Sequence, residues 1–206
     1  MYCRALQGSS RVAGPDPDVG GFHRLLHHSG EVGADRVHRV LQPRRERGGP
    51  YDHLVKGSVT VHIAAPAELV WDLVSDVTRI GEFSPETFEA QWLDGASGPR
   101  AGARFRGHVR RNGRGPVYWT TCTVTASEPG REFAFSVGGP GGTTVNTWRY
   151  QLEPVAGGTD VTESFELPGT LPLRLYWSVA GPVRLRTNLD GMRATLEKVK
   201  AVAERG

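Results

Sequence analysis

Alternation of apolar and polar residues begins abruptly near Lys56 and continues, with two changes of period, to the end of the chain. "SVTVHIA" (58–64) alternates with period two and predicts a first strand. In "APAELVWDLVSDVTRIGEFSP" the period changes: Val70, Leu73, Val74 and Val77 fall on one face at a spacing of 3.6 residues. This predicts a helix with Pro66 in its first turn, where a missing N–H has no intrahelical partner to lose. Leu69 and Trp71 widen the apolar face, while Asp72 and Asp76 lie off its centre. Pro85 biases Ser84 toward extended backbone and marks the turn that follows.

Six further strands are expected at 86–95, 102–111, 116–130, 131–139, 143–155 and 158–169. In the second of these, Phe105, Gly107 and Val109 share one face, and Arg104, Arg106, His108 and Arg110 the other. Tyr118 and Trp119 are adjacent, so only one can point inward unless a bulge intervenes. "NGRG" and "GGPGG" are turn segments. Such short connections imply antiparallel neighbours. After the strands comes an apolar stretch, "LPLRLYWSVA", with a break expected at Gly181-Pro182. Beyond it Leu185, Leu189, Met192, Leu196, Val199 and Ala203 form one stripe over roughly 30 Å of helix.

The order is therefore strand, helix, six strands, helix. It predicts an α+β fold in which a curved seven-stranded antiparallel sheet wraps around a long C-terminal helix, with one or two short helices after the first strand. A sheet of this width twists and curls, so sheet and helices meet along edges. Side chains then either fill the middle or line a hollow.

Composition adjusts this picture at one end. The chain has 206 residues, enough for one domain and an appendage. Residues 1–55 show no sustained period and carry five of the seven histidines: His23, His27, His28, His38 and His53. We expect this segment to be a poorly ordered tail, for which a start codon assigned too far upstream is one explanation, with Val55 an alternative start. Residues 56–206 form the domain. His23 and His27 are four apart, but no third ligand stands at a recognisable spacing, so no metal site is expected. Cys3 and Cys122 make neither a disulfide framework nor a ligand set, which suits a reducing cytoplasm. No apolar run reaches the length of a membrane span. Of 25 basic and 22 acidic residues, 17 and 16 lie from Lys56 onward, and so balanced a body argues against nucleic-acid binding. The arginines at 104, 106, 110, 111 and 114 read as a solvated face and turn.

The segments "VTVHIAAPAELVWDLVSDVTRIGEFSPE", "YWTTCTVTASEPGREFAFSV", "TWRYQLEP", "GGTDVTESFEL" and "NLDGMRATLEKVKA" resemble the START-like, or SRPBCC, helix-grip superfamily. Within it, the chain is most similar to the polyketide cyclase/dehydrase group, over residues 57–202. The resemblance implies a deep hydrophobic cavity between the sheet and the long helix. It does not imply one chemistry, since relatives include aromatase/cyclases, lipid carriers and chaperone activators.

Three functions stay open on this basis. The first is binding of a small hydrophobic molecule of polyketide, lipid or isoprenoid type. The second is a cyclase, aromatase or dehydratase reaction, and the third a protein-interaction module. For the cavity wall, strand parity selects Trp92, Phe105, Phe135, Trp148, Tyr150 and Phe165. The closing helical region adds Tyr176, Trp177, Asn188 and Met192. Glu163, between Val161 and Phe165 in "DVTESFEL", is the candidate catalytic group. It lies either inside, where desolvation would raise its pKa and suit it to proton transfer, or outside as a solvated residue. Arg149 and His108 fall on the opposite parity, with the exposed set. No nucleophile elbow, zinc motif or phosphate loop occurs, and no cofactor is expected.

Overall fold

The computed structural model describes residues 55–168 and 171–206, with side chains of the last helix described from Val183 onward. Val55, the last residue of the expected tail, opens β1, and residues 1–54 lie outside the described residues, as do the side chains of Tyr176 and Trp177. The strands are β1 (Val55–Ile63), β2 (Thr87–Trp92), β3 (Arg104–Arg110), β4 (Val117–Glu128), β5 (Glu132–Gly138), β6 (Thr144–Val155) and β7 (Gly158–Leu167). They form one curved antiparallel sheet in the order β1-β7-β6-β5-β4-β3-β2. β1 and β2 are consecutive in sequence yet occupy opposite edges. The connection between them carries helix α1 (Ala67–Ser75), a 3-10 turn (Val77–Arg79) and helix α2 (Ile80–Phe83). Helix α3 (Leu171–Ala203) closes the chain.

Two local expectations change. Pro66 stands at the N-cap of α1 in extended backbone, one place before the helix rather than within its first turn. Leu69 is exposed, whereas Val70, Trp71, Leu73 and Val77 are buried. The apolar face thus widens on the Trp71 side only, where the indole Nε1 donates to the Glu132 carbonyl at 3.0 Å and ties α1 to β5. The second change is in α3, which runs unbroken for 33 residues through Gly181-Pro182. An interior proline removes one backbone hydrogen bond, a cost of about 3 kcal/mol. A single lost bond does not end a helix with turns on both sides to hold it.

Helix α3 packs mainly on β1, with further contacts to α1, α2 and β7. Met192, Leu196, Val199 and Ala203 are buried along its stripe, and Leu185 and Leu189 are partly so. At Gly57 the approach is close: a Cβ there would stand 2.8 Å from a Phe165 ring carbon and 3.2 Å from a Leu185 methyl. Polar contacts fix the other end of the helix. Lys200 Nζ donates to the His62 carbonyl at 2.6 Å, and Glu204 Oε1 accepts from the Ala64 N–H at 2.7 Å. The main core lies between α1, the C-terminal half of α3 and the adjoining strands, around Ile63, Val70, Phe133, Val161 and Leu196. On the side of the helix that carries Asn188, a cavity lies between it and strands β3 to β6.

Candidate functional site

Between α3 and the inner face of the sheet lies a cavity of about 1250 Å³. It is somewhat larger than the few hundred to about 1000 Å³ usual for a small-molecule site. Its strand wall is built by alternation. Phe105 comes from β3, Tyr118, Thr120 and Cys122 from β4, and Phe135 and Val137 from β5. Asn146, Trp148 and Tyr150 come from β6 and Glu163 from β7. Asn188, Met192 and Thr195 supply the helix wall. The rim includes solvent-exposed Arg111, Pro140 and Gly142 from the β3–β4 and β5–β6 turns.

The structure brings together Phe105, Phe135, Trp148, Tyr150, Glu163, Asn188 and Met192 among the residues singled out by sequence. It sets two others off the wall. Trp92 packs edge-on against Phe105, with ring centroids 5.7 Å apart. Phe165 is fully buried, its ring 5.5 Å from that of Trp148. Tyr118 pairs with inward Val109, while Trp119 pairs with His108 and stacks on its ring at 4.2 Å on the outer face. No bulge is needed at this pair. Arg149 is exposed and bridges to Glu132 at 3.3 Å.

Glu163 lies inside, 4% exposed. Val161, Phe165 and Leu167 share its face and are buried, which fixes the orientation of the strand. Across the β6–β7 ladder it is paired with Tyr150, and across β1–β7 with Val59. The Tyr150 hydroxyl donates to Glu163 Oε1 at 3.0 Å. Oε2 is buried with no hydrogen-bond partner among the described residues. Desolvation raises the carboxyl to about 8, opposed by the smaller effect of the Tyr150 hydrogen bond. Burial, with the neighbouring carboxyl, also holds the Tyr150 hydroxyl well above its ordinary range. A carboxyl in this state is a proton donor near neutrality and an acceptor only above it.

Three wall features were not singled out by the sequence. Asn146 shares the parity of Trp148 and Tyr150, and its Oδ1 is buried without a partner among the described residues. Parity was the signal that would have found it. Cys122 is buried on the wall, and burial pushes its thiol up to about 12, so it is no thiolate nucleophile at neutral pH. At the mouth, Arg184 of α3 forms a two-pronged ion pair with Glu86, and no sequence spacing announces a contact across 98 residues. Among the described residues, no cluster of His, Cys, Asp and Glu is arranged to hold a metal, and no helix is long and apolar enough to cross a membrane.

Residues 55–204 match the family described as polyketide cyclase / dehydrase and lipid transport, and the chain belongs to that family. Among solved structures it is similar to the Zhui aromatase/cyclase from Streptomyces sp. R1128, with a TM-score of 0.54 and 20% identity, over 74% of this chain and 95% of that one. It is also similar to the di-domain ARO/CYC StfQ of the steffimycin biosynthetic pathway, with a TM-score of 0.56 and 14% identity, over 74% and 51% of the two chains. A third is protein NE0264 from Nitrosomonas europaea, with a TM-score of 0.53 and 13% identity, over 73% and 95%. At these identities the likeness is one of fold. No curated protein sequence matches the chain.

Proposed function

We propose that the protein binds a small hydrophobic molecule of polyketide, lipid or isoprenoid type in the cavity between α3 and the sheet. The observation that carries this reading is the cavity itself, about 1250 Å³ with Phe105, Phe135, Trp148 and Met192 on its walls. Apolar surface held open in a fold is a cost that a bound apolar molecule recovers. The family's description, which names both cyclases and lipid transport, supports the class of ligand. A cytoplasmic location belongs to the same proposal and is supported by Cys122, unpaired among the described residues. The test is native mass spectrometry after gentle purification, in which a retained small molecule is expected. Thermal-shift screening follows, since a ligand at a hundred times its dissociation constant adds about 2.7 kcal/mol.

A second reading, cyclisation or dehydration of a polyketide-like substrate, is favoured by Glu163 and Tyr150. A protonated carboxyl on an apolar wall is suited to donating its proton to a carbonyl oxygen while the carboxylate so formed takes the proton of the adjacent carbon, so that the enol forms with Glu163 protonated again. Two of the proteins similar in structure are aromatase/cyclases by name, which supports this second reading. Glu163→Gln separates the readings: turnover is lost and binding retained if the residue is catalytic.

A further inference from the structure

Resting on the hydrophobic-binding reading, we propose that the deep end of the cavity receives the ammonium group of an apolar amine, with Glu163 as its counter-ion. Glu163 is the one acidic group of the deep wall. The other two acidic residues of the lining, Glu86 and Asp190, lie elsewhere: Glu86 is held by Arg184, and Asp190 is exposed. None of the three lining arginines pairs with Glu163. Arg104 is engaged by Asp94 at 3.0 Å and Arg184 by Glu86.

Among the described residues, this nearly fully buried carboxyl therefore has one oxygen unpartnered and no cation beside it. Such a group is costly unless something completes it. The Tyr150 hydroxyl donates to Oε1, which favours the charged carboxylate. Trp148 stands two residues from Tyr150 on the same face of β6 and offers an aromatic surface to a cation. An ammonium supplies both the missing donors and the missing charge, while its apolar body lies along Phe105, Phe135 and Met192.

The elements around Glu163 contribute Tyr150 from β6, Val59 from β1 and, across the cavity, Asn188 and Met192 from α3. Among the described residues Tyr150 is the only titratable group of this set, and it stays protonated throughout the neutral range. In the empty site Glu163 holds its proton below about pH 8. Loading an ammonium there displaces that proton to solvent. Amine affinity then rises with pH by roughly tenfold per unit below the Glu163 titration and levels off above it. A neutral ligand of the same shape shows no such rise.

The experiment is calorimetric titration with 2-(2-naphthyl)ethylamine and the isosteric 2-(2-naphthyl)ethanol at about pH 6, 7 and 8, on wild type and Glu163→Gln. We expect the amine to bind at least tenfold more tightly than the alcohol near pH 8 and to weaken as pH falls. Glu163→Gln should lose that preference while keeping the alcohol. Equal or tighter binding of the alcohol, or amine affinity flat with pH, overturns the proposal and leaves the cavity reading standing. Binding of neither compound overturns both. If Glu163→Gln does not fold, the wild-type comparison of the two probes decides alone.

Discussion

The Arg184 guanidinium on α3 holds the Glu86 carboxylate through two hydrogen bonds of 2.9 Å, at the point where both residues border the cavity. The pair joins the long helix to the segment that leads into edge strand β2. Its side chains are 15% and 24% exposed, so solvent screens it less than an ordinary surface pair.

Because both partners line the cavity, loss of this clamp is expected to speed ligand release. Arg184→Met keeps the aliphatic stem but leaves Glu86 without its fork. We expect a loss of about 1–3 kcal/mol in denaturant unfolding. Stopped-flow measurement of a bound hydrophobic fluorophore should show faster release, with a smaller change in association. Unchanged release would show that the mouth lies elsewhere.

Glu163 gives the protein a stability that depends on pH in an unusual direction. Its folded carboxyl titrates near 8, above the ordinary value of 4.5. Between those two values the folded state binds more protons than the unfolded chain, so stability falls as pH rises. The loss is confined to that window and flattens above about 8, reaching the order of a few kcal/mol. Unfolding in denaturant from about pH 5 to 9 should show this slope in wild type, and Glu163→Gln should be much flatter.

The order of elements was legible because each strand alternates and the helices do not. Parity also told which residues share a face. What parity leaves open is which face turns inward when a carboxylate sits among apolar residues, and Glu163 is that case: its placement depends on Tyr150 across the ladder. Parity likewise does not separate wall from filling. Phe165 has inward parity but is covered by Trp148 and the helix, and Trp92 sits on edge strand β2 against Phe105. The Gly181-Pro182 pair looked like a stop because propensity is local, whereas α3 is held by packing along its whole later length. The Arg184–Glu86 clamp joins two segments far apart in sequence, so it follows only from the assembled fold.

Gly57 marks a close approach of α3 to β1. A methyl group there meets Phe165 at 2.8 Å, and Leu185 and Leu189 at 3.2 and 3.3 Å. Gly57→Ala should destabilise by about 1–3 kcal/mol through overpacking, measured by the denaturant midpoint at unchanged slope. Because the collision pushes the helix outward near the cavity, hydrophobic-probe affinity should change as well.

The cavity is the centre of the account, and filling it is the most direct test. Val137 on β5 lines it without being fully buried, so Val137→Trp places an indole in the open space. Titration with the neutral fluorophore Nile red should give saturable binding at one site per chain in wild type, and loss of that binding in a Val137→Trp protein that still melts cooperatively. No saturable binding to wild type, or equal binding to both proteins, would contradict the account.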